Sequence, residues 1–74
     1  MSDKIAGNLR YLRTTRTPEY SQREVAQKLH ISRSAYSRYE KGIYIPPLWF
    51  LQEVAAFYGI SIDILVNEDL QGSE

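Results

Sequence analysis

The chain contains no cysteine, which excludes disulfides and thiolate metal sites and leaves nothing to tie it to an oxidising compartment. It contains one histidine, His30, and no second ligand is spaced to share a metal with it. No apolar run approaches a membrane span, and the N-terminus lacks the apolar core of a signal peptide, so the cytoplasm is the expected compartment. There is no glycine-rich phosphate loop, no internal repeat and no low-complexity linker. The carboxylates are scattered or stand at helix starts, so no acid–base or nucleophilic constellation can be assembled. The expectation is a protein that is not an enzyme and needs no cofactor, metal or small-molecule ligand.

One further absence is more informative. Residues 43–74 contain no Lys or Arg, while five acids (Glu53, Asp63, Glu68, Asp69, Glu74) give them a net charge of −5. All nine bases lie in residues 1–42 with only Asp3, Glu19, Glu24 and Glu40 against them, a net of +5. The total of zero therefore hides a basic half suited to a polyanion and an acidic half repelled by one. The 74 residues have room for one domain, and at 43% hydrophobic and 24% charged they have the composition of a soluble globular unit.

Periodicity predicts five helices and no strand. Ile5, Leu9 and Leu12 form one apolar stripe of a first helix capped by Ser2 or Asp3 and ending near Thr15, before the break at Thr17-Pro18. Ser21 caps a second helix, with Glu24 completing a capping box and Val25, Ala26 and Leu29 on the buried face. Ser32 caps a third, which stops at Gly42. Pro46-Pro47 introduces a fourth with the core stripe Leu48, Leu51, Val54, Ala55 and Tyr58, closed by Gly59. Ser61 caps a short fifth helix with Ile62 and Leu65 inward, and the polar chain from Asn67 is expected to fray. This divides the chain into a domain over 1–66 and a tail over 67–74.

The third helix carries the chemistry. At 100° per residue, Tyr36, Tyr39 and Glu40 gather on one side, while Ser34, Ser37, Arg38 and Lys41 lie opposite with Arg33 on the flank. That outer face has no bulky aliphatic group and no acid. Small hydroxyls keep a helix thin enough for the major groove, arginine supplies paired donors for guanine O6 and N7, and Ala35 can touch a thymine methyl or a sugar. A merely solvated face would carry Glu and Lys in i, i+4 pairs, and this one does not. The start of the second helix, with Gln22 and Arg23, reads equally as a phosphate site or as a solvated first turn.

The pattern Ser21-Gln22-x-x-Val25-Ala26-x-x-Leu29-x-Ile31-Ser32-x-Ser34-x-Tyr36-Ser37-x-Tyr39-Glu40-x-Gly42 resembles the helix-turn-helix of the phage repressor/Cro-like family, the Xre type. The likeness extends from about Ile5 to Leu65 and includes Leu9-Arg10-x-Leu12-Arg13 and Val54-Ala55-x-x-Tyr58-Gly59-Ile60-Ser61. It implies an all-α, five-helix lambda-repressor-like domain that binds double-stranded operator DNA, usually as a homodimer on a two-fold site. By resemblance, Ser32, Arg33, Ser34 and Arg38 approach base edges or the adjoining backbone, and Ser37 joins this base-reading set from its place on the same helix face. The resemblance also has Gln22 anchor a phosphate and Arg13 pair with Glu40 as a structural ion pair, while Ser21, Arg23, Ala35, Lys41 and the Tyr44 hydroxyl are further candidates for the phosphate backbone. The expected activity is that of a transcriptional repressor acting by occupancy.

Four departures from the family pattern matter. His30 stands where glycine is common in the turn, and histidine tolerates the left-handed conformation better than most residues. The connection from Thr14 to Tyr20 is about two residues longer than usual, leaving Arg16 either to reach a phosphate or to be solvated. Ile43-Tyr44-Ile45 replaces the polar loop that relatives place against DNA, which should lower affinity and flatten its salt dependence. Tyr36 and Tyr39 replace aliphatics, and their hydroxyls are expected at the domain edge. On the fourth helix, Trp49, Phe50 and Phe57 are more aromatic surface than so small a domain buries easily. They are expected to form a homodimer interface with Ile43 or Tyr44, or else a satellite core. A module for protein contacts, an antitoxin or antirepressor with weak DNA affinity, is the alternative function.

Overall fold

Nearly every break imposed by serine, glycine or proline becomes a helix end. The computed structural model describes residues 2–71, with side chains from Lys4 onward. Its elements are α1 (Ser2–Thr15), α2 (Gln22–Lys28), α3 (Arg33–Lys41), α4 (Leu48–Tyr58) and α5 (Ile62–Asn67), and no strand occurs among the described residues. The caps expected of Ser2 or Asp3 fall on side chains outside that description.

The Ser21 hydroxyl accepts from the Glu24 N–H at 3.0 Å while the Ser21 N–H donates to Glu24 Oε1 at 2.8 Å, a complete capping box. Ser32 and Ser61 accept in the same way from the Ala35 and Ile64 N–H groups, at 3.0 and 3.1 Å. Gly42 and Gly59 end α3 and α4 in the left-handed region, at φ 78° and 71°. His30 occupies that region as well, at φ 61°, so the turn between α2 and α3 forms without glycine.

Ile5, Leu9, Val25, Ala26, Leu29, Tyr36, Phe50, Leu51, Val54 and Leu65 form one buried cluster. α3 packs against both α1 and α2, and α5 packs against α1 and α4. No helix is long and apolar enough to cross a membrane.

Packing decides the place of four side chains whose position the sequence left open or misplaced. Phe50 is fully buried and is no interface residue: it lies only about 40° from Val54 around the helix and so turns inward with it. Leu48, expected in the core, is 62% exposed because it stands about 120° from Val54 in the first turn. Phe57 is half-buried against the core, its ring 5.6 Å from that of Tyr20 and 4.9 Å from that of Tyr58. Tyr36 does not extend to the domain edge; it is fully buried and its hydroxyl ends inside the protein.

From Asn67 to Leu70 the chain runs back against α1. Asn8 is 1% exposed, and its amide donates to the carbonyls of Leu65 and Glu68 at 2.8 and 2.7 Å. The Leu70 N–H in turn donates to Asn8 Oδ1 at 2.9 Å, and Lys4 Nζ donates to the Asn67 carbonyl at 3.3 Å. These backbone groups would each cost about 1–3 kcal/mol if buried unpaired, so Asn8 fixes the return of the chain past α5. Residues 72–74 of the expected tail lie outside the described residues.

Candidate nucleic-acid interface

Helix α3 sorts its side chains by the wheel. Tyr36 is buried and Tyr39 and Glu40 are half-buried, while Arg33, Ser34, Arg38 and Lys41 are exposed and Ser37 and Ala35 are intermediate. Arg33, Ser34, Ser37, Arg38 and Lys41 line one shallow concavity, together with Ile43 from the loop beyond. A second concavity is lined by Arg13, Ser21, Gln22, Arg23 and Arg33, so Arg33 stands between the two. Ser32 is exposed just before α3, its oxygen already engaged in capping Ala35. Tyr44 is 55% exposed.

The acid of α3 is kept away from this face. The Glu40 carboxylate receives Arg13 Nε at 2.8 Å on Oε2 and Arg13 Nη2 at 2.9 Å on Oε1, a two-pronged pair between α1 and α3. Tyr36 Oη donates to Oε2 at 2.7 Å and Gln22 Nε2 donates to Oε1 at 2.9 Å. Arg13 Nη1 also donates to the Tyr20 carbonyl at 3.0 Å, which ties in the segment entering α2. One carboxylate thus joins α1, α2 and α3, and fixes the angle at which α3 stands to the start of α2.

Burial by itself would raise the Glu40 pKa, but the hydrogen bonds from Arg13, Gln22 and Tyr36 outweigh it and hold the carboxyl below its ordinary value. The bond to Glu40 chiefly raises the pKa of Arg13 against the opposing effect of burial, and burial first, then Glu40, raises that of the Tyr36 hydroxyl. The pH consequence follows from the depressed carboxyl. Its contribution to stability is complete above the unfolded-chain value of about 4.3 and is lost as pH falls through the lower folded value. Urea midpoints at pH 6 and pH 3.5 should therefore differ more in the parent than in Glu40→Gln; equal acid losses would remove Glu40 as the source.

Sequence reasoning missed the Gln22 and Tyr36 contacts to this carboxylate. The i, i+4 spacing of Tyr36 and Glu40 was an available signal for one of them; nothing local marks the other. Arg16 is exposed and stands over the Tyr20 ring, with its guanidinium carbon 4.1 Å from the centroid.

The helix-turn-helix family profile matches residues 9–65. The chain belongs to the helix-turn-helix family, in its phage-repressor, Xre-type form. That family is one of DNA-binding regulators and not of enzymes. A similar curated protein is the cryptic phage CTXphi transcriptional repressor RstR of Vibrio cholerae, 35% identical over 64 residues, which cover 86% of this chain and 56% of that protein. This helix-turn-helix chain accordingly spans little more than half the length of the repressor it matches. No solved structure gives a significant match.

Proposed function

We propose that this protein is a transcriptional repressor that lays α3 in the major groove of double-stranded DNA, as a homodimer on a two-fold symmetric operator. The observation that carries the reading is the sorting of charge on α3: its one acid is turned inward onto Arg13, and its outer face offers Arg33, Ser34, Ser37, Arg38 and Lys41. Arg33 and Arg38 are assigned to base edges, with Ser32, Ser34 and Ser37 completing the reading face. Ser21, Gln22, Arg23, Ala35, Lys41 and Tyr44 are assigned to the phosphates on either side. Gln22 can serve there because its amide has a second N–H beyond the one given to Glu40. Two copies would hold their α3 helices about 34 Å apart, one turn of the duplex. Trp49, with Ile45 and Leu48, supplies exposed apolar surface for the contact between copies. The likeness to a phage repressor supports the direction of regulation.

Selection from a random duplex pool, followed by mobility shift on the selected site, tests this. Arg38→Ala should relax discrimination at one base pair by about 1–3 kcal/mol, whereas Gln22→Ala should weaken every sequence alike. Retained selectivity in Arg38→Ala would show that the reading face is misplaced. The exposed Ile43, Tyr44, Ile45, Leu48 and Trp49 also suit a protein-contact module, an antitoxin or antirepressor; weak, unselective retention of DNA at low salt would favour that alternative.

A further inference from the structure

We infer that Ile43 is itself a base-reading residue, taking the C5-methyl group of a thymine at the edge of the major-groove site; the inference rests on the reading of α3 as the recognition helix. Its backbone is locked to that helix. Gly42 turns left-handed, its N–H donates to the Tyr39 carbonyl at 3.1 Å, and the Ile43 N–H donates to the Arg38 carbonyl at 3.0 Å. In a cap of this kind the residue after the glycine usually rests its apolar side chain on the helix residue whose carbonyl it bonds, or on the one before. Here those residues are Arg38 and Ser37, which offer no apolar seat, and Ile43 is left 59% exposed.

The exposed group is also placed where a base edge would be. Ile43 lines the same concavity as Arg33, Ser34, Ser37, Arg38 and Lys41, a hydrocarbon set among hydroxyls and cations. The major-groove edges of base pairs match that inventory: N7, O6 and O4 accept hydrogen bonds, and the thymine methyl is the hydrocarbon they present. Tyr44, Ile45, Leu48 and Trp49 are exposed too, but the lining of this concavity does not include them. The apolar stretch after α3 therefore divides, with Ile43 turned to DNA and Ile45, Leu48 and Trp49 available to a second copy.

The test uses the operator selected by the full chain, with each thymine replaced in turn by deoxyuridine, which deletes only the methyl. One position per half-site should weaken the parent protein by about three- to fivefold, the worth of one methyl-sized group, and should leave Ile43→Ala unaffected. Thermal melting of the variants, followed by circular dichroism, verifies that they fold. Equal losses in parent and Ile43→Ala, or a selected half-site insensitive to deoxyuridine throughout, would overturn the assignment. A loss that persists in Ile43→Ala and disappears in Ala35→Gly would give the methyl to Ala35 instead. Failure of the parent to select any sequence is a separate result, seen before any base is modified, and would remove the underlying reading of α3 along with this one.

Discussion

Glu40→Ala should cost about 3–5 kcal/mol of folding stability, the range for removing one partner of a buried ion pair. A chain of this length has only about 4–11 kcal/mol in total, so the variant should be largely unfolded in mild urea or at modest temperature. The loss is large because the carboxylate serves several donors. Its removal leaves the Arg13 guanidinium, the Tyr36 hydroxyl and the Gln22 amide without their acceptor, with the Arg13 side chain only 13% exposed. Arg13→Ala should be nearly as damaging, and the double variant should lose less than the two single losses combined, because each single change strands the other's partner. Urea midpoints for the four proteins would decide this; additive losses, or a Glu40→Ala midpoint close to that of the parent, would mean that the network does not hold the helices together.

Phe50→Ala should have an effect of the same size by a different route. The ring is fully buried, 4.6 Å from the Tyr39 centroid and 6.4 Å from that of Tyr36, and its deletion leaves a cavity between α3 and α4 worth about 3–5 kcal/mol. Its neighbour Trp49 is 51% exposed, its ring perpendicular to that of Phe50 with 6.0 Å between centroids, and Trp49→Ala should move the melting temperature little. If the apolar surface joins two copies, the same Trp49→Ala change should shift sedimentation at micromolar concentration toward the monomer. The pair of variants thus separates folding from association. A stable Phe50→Ala protein that fails to dimerise would reverse the assignment made from burial.

Local signals carried most of the fold. Ser21 with Glu24, Ser32 and Ser61 are caps because a short side-chain oxygen stands before an apolar period, and each is engaged with its own first turn. The left-handed Gly42 and Gly59 follow as directly from residue type, whereas the left-handed His30 follows only from its place in the family's turn. What sequence periodicity could not supply was the phase of α4 and the depth of α3. Almost every position from Leu48 to Tyr58 is apolar, so the wheel admits several buried arcs, and only contact with the other helices selects Phe50 over Leu48. Asn8 was hidden for the opposite reason. A single asparagine near an apolar stripe carries no sign of carbonyls some sixty residues away that need its amide. The outer face of α3 was legible because it depends on residue type and helical angle alone, while the bond from Gln22 to Glu40 depends on tertiary geometry.

The junction made by Glu40 has a bearing on how new targets could arise. Because the tilt of α3 is set by Arg13, Gln22 and Tyr36 on its inner side, the outward Arg33, Ser34, Ser37 and Arg38 can be exchanged without loosening that junction. With α3 reading DNA as proposed, a lineage, or a designer, can rewrite those four letters and keep the scaffold's aim, so address and architecture are free to change separately.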